Sequence, residues 1–320
     1  MNRPTDPLQR VRSDCAWVAA NSKLVHIEPD RLRDYSSTIN SDAVAPNDPG
    51  RVALRDVETT VGFVVSLDAI NFGSGYFPHL DKRPHHSGYH TIAAAWRERW
   101  NTAPPTVEEL GNLDRHDCAT LFGQEDADDV AQELMAHFAE ALAELSTMLI
   151  ARFGGRFTAM VEDCNHSAAV LTTTLRTCGS FEDVASYESR TVAFYKRAQI
   201  TAFDLSRALG GQGLGRFDDL DRLTMFADNL VPHVLRLDGV LRLEDRLIER
   251  IDRGELLEGG SPAEVEIRAC AVHAVEMLVA ELASQGVYTN AATVDGILWE
   301  RGAGDRYKAV PRHRTRCVFY

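Results

Sequence analysis

The feature that most constrains this sequence is a long segment, residues 130–153, in which apolar residues recur at every third or fourth position. This spacing places the apolar side chains on one face of an α-helix. Gly154 and Gly155 follow directly and provide a helix stop. Alternation of apolar and polar residues, which would indicate strands, is nearly absent from the rest of the chain. The sequence therefore predicts a mostly α-helical protein. The periodic positions are Val130, Leu134, Phe138, Leu142, Leu145, Leu149 and Phe153.

Apolar spacing and capping signals predict further helices. Thr106-Val-Glu-Glu109 and Ser261-Pro-Ala-Glu264 have the form of capping boxes that open helices. Residues 36–50 are polar and predict a long loop. No linker and no internal repeat divides the chain, so we expect residues 1–320 to form a single helical domain. The other predicted helices cover residues 8–21, 28–35, 57–72, 166–178, 188–209, 218–226, 240–253 and a last short segment that carries 295–300.

Composition limits the classes of function. The chain has 320 residues, 44% of them hydrophobic, and a formal net charge of −13. An acidic total argues against long nucleic acid as a partner. No apolar run reaches the roughly 20 residues that span a bilayer, so we expect no membrane partner. Six scattered cysteines without a Cys-x-x-Cys pair indicate reduced thiols in a cytoplasmic protein. The sequence does not fix the oligomeric state, and a monomer is the working expectation.

One basic segment is rich in histidine: residues 82–90 contain Lys82, Arg83, His85, His86 and His90. Its spacing matches none of the usual ligand patterns for a metal ion, and no carboxylate or cysteine is paired with it. We expect a surface loop here, and neither a metal nor a cofactor.

Asp228 is the first candidate for chemistry, because it lies in an apolar stretch and follows Phe226 and Ala227. A carboxylate so close to a core must be neutralised, hydrogen-bonded or functional. A helix over residues 230–238 would place Leu230, Val234 and Leu237 on one buried stripe. With Pro232 in the first turn, Asp228 is equally typical of a residue that caps a helix. Both interpretations stay open at this point.

Three further groups of residues are candidates for a site. Lys196 is one of four lysines against thirty arginines and lies in an apolar helix, where a lysine at the helix surface is the alternative. A glycine-aromatic run, residues 68–78, could line a ligand pocket or simply end a helix. The last group lies at residues 295–300, where the carboxylates of Asp295 and Glu300 could accept N–H donors of a guanine-like edge and Trp299 could stack on a base. Standing alone, the two carboxylates would be solvated acids on a short helix. The named candidates in these groups are Asp68, Asn71, Phe72, Asp295, Gly296, Trp299 and Glu300.

The chain order of three features resembles that of the helix–hairpin–helix DNA glycosylases. A predicted helix is followed by a glycine-rich turn at residues 209–215, and Asp228 then stands before another helix. In those enzymes a carboxylate faces the sugar carbon of an N-glycosidic bond. The transition state of such a cleavage resembles an oxocarbenium ion, which a fixed anion stabilises. The glycine turn is not a nucleotide-binding P-loop, because it lacks the following Lys-Ser/Thr pair.

Six motifs in order along about 250 residues are similar to the queuosine salvage protein family, whose members hydrolyse queuosine 5′-monophosphate to release queuine. The resemblance implies a fold like a DNA glycosylase core. The motifs are Leu67-Asp-Ala-Ile-Asn-Phe72, Phe194-Tyr-Lys-Arg-Ala-Gln-Ile200, Leu223-Thr-Met-Phe-Ala-Asp228 with Val231-Pro232 and Val234-Leu235, Glu264-Val-Glu-Ile-Arg268, Leu298-Trp299, and His313-Arg-x-Arg-Cys-x-x-Tyr320.

The same resemblance implies roles for individual residues. Asp228 corresponds to the catalytic carboxylate and Lys196 to its cationic companion near the phosphate or ribose. Phe226 is expected to line the base site and Asp295 to bind the base, while Glu300 stands where some relatives carry Asp. The other candidates, Asp68, Asn71, Phe72, Gly296 and Trp299, are expected pocket members. Some relatives also carry a base-contacting His ahead of the first motif, whereas residues 41–60 contain none here.

The sequence therefore predicts an N-glycosyl hydrolase that acts on queuosine 5′-monophosphate without a metal. Its nucleotide would lie between residues 68–78, the Asp228 segment and the 295–300 helix. A non-catalytic protein that binds the nucleotide or the 7-deazaguanine base is the alternative. A glycosylase acting on nucleic acid is a third possibility, against which the acidic charge counts.

Overall fold

In a computed structural model the chain forms two compact units, and the structure describes residues 6–39 and 53–320. The first unit comprises the described part of Met1–Pro46 together with Asp183–Lys196 and Asp221–Arg316. The second comprises the described part of Asn47–Glu182 together with Arg197–Leu220 and Cys317–Tyr320. Both units are built mainly of helices, which confirms the predicted mostly α class. The single-domain assignment stays a prediction.

The first unit is organised around one long helix, α13, which packs against α1 and α2. Two short strands, β1 and β4, pair antiparallel, and β2 pairs antiparallel with β3. Its elements are α1 (Pro7–Asn21), β1 (Val25–Ile27), α2 (Pro29–Ser36), β2 (Val184–Tyr187), β3 (Arg190–Ala193), α11 (Leu230–Leu237), β4 (Leu241–Leu243), α12 (Asp245–Asp252), α13 (Pro262–Ser284), α14 (Ala291–Gly302) and α15 (Asp305–Lys308).

The second unit surrounds the helix predicted from residues 130–153, which is α7. Helix α7 packs against α3, α5, α6 and α8. The helices of this unit are α3 (Val57–Ala69), α4 (Gly88–Thr102), α5 (Val107–Asn112), α6 (Arg115–Phe122), α7 (Asp129–Phe153), α8 (Phe157–Asp163) and α9 (Ala168–Leu175). Helix α10 (Lys196–Ala208) begins at the last residue of the first unit and continues in the second.

Helix α7 shows why the strongest sequence signals were reliable. Asp128 accepts hydrogen bonds from the N–H groups of Val130 and Ala131 and so caps the first turn. Gly154 ends the helix in the left-handed conformation, with φ of 60°. By length and hydropathy α7 could cross a membrane, and half of its most apolar window is buried inside the protein, as in a core helix.

Residues 184–193 overturn part of one prediction. The expected helix over residues 188–209 begins only at Lys196, because residues 184–193 form the β2–β3 hairpin. Glu188 turns the chain with φ of 50°. The Ala193 N–H donates to Asp14, and the Tyr187 hydroxyl donates to Glu266. Tertiary contacts of this kind outweigh local helix preference.

Two other predicted helices were partly wrong. Residues 218–226 contain only a 3-10 turn at Leu220–Arg222, and the predicted helix 240–253 divides into β4 and α12, since β4 pairs with β1. Helix α13 starts where predicted, but Ser261 makes no capping bond with its side chain. The capping box at Thr106 is complete, because the Thr106 side chain accepts from Glu109 N and the Glu109 side chain accepts from Thr106 N.

The predicted long loop, residues 36–50, lies mostly outside the described residues, as does most of the 41–60 segment that lacks His. Five cysteines, Cys15, Cys118, Cys164, Cys178 and Cys270, are free thiols and buried, and Cys317 is half-buried. Burial raises the pKa of the Cys118, Cys164, Cys178 and Cys270 thiols to about 12, so these groups stay protonated at neutral pH.

Candidate active site

The Asp228 carboxylate caps helix α11. Its Oδ1 accepts hydrogen bonds from Leu230 N at 2.8 Å and Val231 N at 3.1 Å. Asn229 lies between Asp228 and the helix and makes no capping bond with its side chain. The residue is half-buried, and its Oδ2 has no hydrogen-bond partner among the described residues. One carboxylate oxygen is therefore fixed by the backbone, and the other remains available for chemistry.

Four consecutive residues, Phe226 to Asn229, are each held by a separate hydrogen bond, and we call this segment the Asp228 loop. Phe226 N donates to Asp295 Oδ1 at 3.0 Å. Arg268 Nε donates to Ala227 O at 3.0 Å. Asn229 Nδ2 donates to His313 O at 3.2 Å. Together with the Asp228 cap, these bonds fix the backbone of the loop.

The predicted apolar stripe of α11 is rotated relative to the structure. Val231, Val234 and Leu235 are buried, whereas Leu230 and Leu237 are only half-buried. The buried face is set by the elements that pack against α11, which include α13, α14 and β4.

Arg312 is a neighbour of Asp228 that the sequence reasoning did not select. Burial lowers the pKa of Arg312, and the Asp228 carboxylate opposes this shift. The basic run at residues 312–316 in an otherwise acidic chain was the available signal. Asp228 therefore has a cation close by within the same unit.

Two buried histidines lie beside the Asp228 loop. Burial, followed by the charges of Arg236 and Arg312, lowers the pKa of His233 to about 4 and that of His313 to about 3. His233 Nε2 donates to Tyr307 O at 2.9 Å, so Nδ1 is the unprotonated nitrogen of the neutral ring. Both side chains, with Arg236, line a small cavity of about 10 Å³. The histidines are neutral at physiological pH.

These histidines predict a loss of stability in acid. Below the ordinary histidine pKa of about 6.5 the unfolded chain binds protons, whereas the folded chain does not until pH about 4. The free energy of unfolding should therefore fall as the pH falls through this window. Urea unfolding at pH 7, 6 and 5 measures the slope. His233→Gln, which keeps a donor for Tyr307 O, should flatten it, and equal slopes would contradict the assignment.

Lys196 is the first residue of α10 and is only 6% exposed. The alternative of a lysine at the helix surface is therefore wrong. Its backbone N–H donates to Asp183 Oδ2 at 3.3 Å. The preceding residue, Tyr195, has φ of 49°, a conformation that only supporting contacts maintain in a bulky residue. Lys196 is thus held in a defined place within the same unit as Asp228.

Helix α14 carries the predicted base-binding residues. Asp295 is buried, and by accepting a hydrogen bond from Phe226 N it holds the start of the Asp228 loop. Gly296, Trp299 and Glu300 lie on the same helix and are half-buried. Because five residues span 500° of an α-helix, Asp295 and Glu300 face different directions, whereas Asp295 and Trp299 share a face. Binding of a base by these residues stays a prediction.

The remaining candidates belong to the second unit. Asp68 and Phe72 are buried, and Asn71 Nδ2 donates to Asp68 Oδ1 at 3.4 Å. Phe72 packs edge-to-face on Phe138, with ring centroids 5.1 Å apart. The turn is held by the tail, since Gly73 N donates to Tyr320 O at 3.0 Å. This run is therefore a rigid wall, and its contact with a ligand stays a prediction.

Arg197, which the sequence reasoning did not select, anchors that wall. It is 1% exposed and donates to the carbonyl oxygens of Ala69, Ser180 and Val318. Its guanidinium lies 4.7 Å from the centroid of the Phe72 ring. Within residues 6–39 and 53–320, no three His, Cys, Asp or Glu side chains cluster as metal ligands would, the 82–90 segment included.

Comparison with known proteins places these residues in a family. The family model described as queuosine salvage protein matches residues 52–320. A protein of Sphaerobacter thermophilus is 38% identical over 82% of each chain. A mouse protein is 30% identical over the whole of both chains, and one from Dictyostelium discoideum is 31% identical over 98% of this chain and all of its own. All three relatives carry the name queuosine 5′-phosphate N-glycosylase/hydrolase. With a match that covers most of its length, this chain belongs to the queuosine salvage protein family.

Proposed function

We propose that the chain hydrolyses the N-glycosidic bond of queuosine 5′-phosphate and releases the free base queuine. The observation that carries this proposal is the similarity along nearly the whole chain to relatives named for that activity. It is an enzyme of queuosine salvage, and the released base can serve tRNA modification.

Asp228 acts as the electrostatic catalyst. As the bond from the ribose carbon to the base nitrogen breaks, its electron pair leaves with the base and the sugar becomes cationic. The Oδ2 atom, which has no other hydrogen-bond partner among the described residues, stabilises that cation and orients the water. The water oxygen bonds to the ribose carbon and loses one proton, and the departing nitrogen gains one through carboxylates that contact the base, with Asp295 and Glu300 as the candidates, so that one water is consumed and no net proton is released.

Lys196 and the aromatic residues provide binding. The Lys196 ammonium contacts the phosphate or the ribose, and Phe226 and Trp299 contact the base. Asp68, Asn71, Phe72 and Gly296 are the further pocket members. The chemistry needs only a fixed anion, water and proton transfer, so the proposal includes neither metal nor cofactor.

The finer fold assignment is also a proposal. The chain order α10, a turn with left-handed Gly210, Gly211 and Gly213, and then Asp228 before α11 supports a core like that of the helix–hairpin–helix DNA glycosylases. The acidic net charge favours a small nucleotide over nucleic acid as substrate. A monomeric, cytoplasmic enzyme is the form we propose.

One experiment tests the function. The purified chain is incubated with queuosine 5′-phosphate, and free queuine is measured by chromatography over time. The nucleoside queuosine and guanosine 5′-phosphate serve as matched controls for the phosphate and for the base. Time-dependent release from queuosine 5′-phosphate supports the proposal. Recovery of unchanged nucleotide, together with calorimetric binding, would instead establish a non-catalytic binding protein.

A further inference from the structure

We propose that Arg268 is a positioning residue for the reaction: it fixes the Asp228 loop and the start of α10 through a buried ionic cluster with Asp183 and Glu264. This inference rests on the proposed function and assigns a task to three residues outside the candidate site. All three lie in the first unit, on or next to α13 and the β2–β3 hairpin.

The cluster is nearly closed to solvent. The side chains of Arg268, Asp183 and Glu264 are 2%, 3% and 2% exposed. Arg268 Nη1 donates to Asp183 Oδ1 at 3.1 Å and to Glu264 Oε1 at 3.3 Å, and Nη2 donates to Asp183 Oδ2 at 2.6 Å. The guanidinium also lies 3.9 Å from the centroid of the Phe194 ring. A planar group with several fixed donors is suited to such a site.

The bonds that leave the cluster end on the two candidate catalytic segments. Arg268 Nε donates to Ala227 O, one residue before Asp228. Asp183 Oδ2 accepts from Lys196 N, and the Asp183 carbonyl accepts from Phe194 N and Tyr195 N. Asp183 therefore holds three consecutive backbone N–H groups, including that of left-handed Tyr195. A continuous chain of bonds joins Ala227 to Lys196.

Stability alone does not explain this arrangement. A buried ion cluster is often no more stable than well-packed apolar side chains of the same volume, since the charges lose their hydration. What the ions provide here is direction, because the three nitrogens of Arg268 donate to four oxygen atoms on three residues and so fix the orientation of the guanidinium. An electrostatic catalyst depends on such fixed geometry, and a displacement of about 1 Å can cost about 100-fold in rate.

Arg268→Lys tests the inference. Lysine keeps a charge for the two carboxylates but has one donor nitrogen, so it cannot also hold Ala227 O. We expect kcat for queuosine 5′-phosphate to fall about 10- to 100-fold, with KM changed less than about twofold. Tyr187→Phe is the matched control, because it removes a buried bond to Glu266 on the same helix and touches neither candidate segment. Its kcat should equal that of the wild type.

A second measurement separates positioning from general damage. In the double variant Asp228→Asn/Arg268→Lys, the second change should lower kcat by less than about threefold, because Arg268 acts through Asp228. All assays are run at a temperature where thermal melting shows every variant folded. If Arg268→Lys does not fold, Asp183→Asn takes its place, since the amide nitrogen that replaces one carboxylate oxygen cannot accept a hydrogen bond from the Arg268 guanidinium.

The outcomes are distinguishable. If the wild type releases queuine and Arg268→Lys or Asp183→Asn has the same kcat as Tyr187→Phe, this inference alone is overturned. Full additivity in the double variant would do the same. A wild-type chain that releases no queuine would overturn the proposed function and this inference with it.

Discussion

Asp228→Asn is expected to lower kcat by at least about 100-fold while KM stays within about threefold of the wild type. The structure makes this substitution unusually informative. Asparagine caps helices as well as aspartate does, so its Oδ1 can keep the bonds to Leu230 N and Val231 N. The change then removes the negative charge and little else. Steady-state kinetics with queuosine 5′-phosphate provides the measurement.

The chain offers a close control for that variant. Asp128 Oδ1 caps α7 through Val130 N and Ala131 N, both at 3.0 Å, which is the same pattern two and three residues ahead. Asp128→Asn should leave kcat unchanged, and its thermal stability should fall at least as much as that of Asp228→Asn, because Asp128 Oδ2 also contacts His79 Nδ1 at 2.7 Å. Near-normal turnover by Asp228→Asn would remove Asp228 from the mechanism and leave it as a helix cap.

Lys196→Met is expected to lower kcat/KM for queuosine 5′-phosphate by about 100-fold. Methionine preserves the apolar length of a side chain that is almost fully buried, and it removes the charge. Assaying the nucleoside queuosine in parallel identifies the contact. A loss confined to the nucleotide assigns the ammonium to the phosphate, and an equal loss for both substrates assigns it to the ribose or the base.

Lys82→Met is the control for Lys196→Met, because Lys82 is exposed and lies in the histidine-rich segment. Its kcat/KM should match that of the wild type for both substrates. If folded Lys196→Met retained full kcat/KM, the buried lysine would have no part in the reaction.

The sequence predicted the elements whose signals are local. Helix α7 follows from apolar spacing, an aspartate before it and glycines after it, all within one segment. The alternative that Asp228 caps a helix was likewise available from Asp228 and Pro232 and is confirmed. In both cases the residues that decide the structure are neighbours in the chain.

Other features depend on partners that are distant in the sequence. The local sequence pattern predicts helix for part of the β2–β3 hairpin, because it carries no information on the turn at Glu188 or on the contacts with Asp14 and Glu266. The role of Arg268 is not predictable from local sequence, since its partner Asp183 is 85 residues away from it. The pairing of Glu264 with Arg268 one turn apart on an apolar helix was the one local hint.

The discontinuous first unit has a consequence for how the chain folds during synthesis. Helix α1 packs on α13, and Glu266 Oε2 accepts the N–H groups of Lys23, Leu24 and Val25. The N-terminal segment therefore cannot form these contacts until Glu266, more than 240 residues further along the chain, has left the ribosome. Domains usually fold in the order in which they are made. Here helix α13 supplies partners both to α1 and to the Asp228 loop, so the backbone around Asp228 becomes fixed only after α13 has been made.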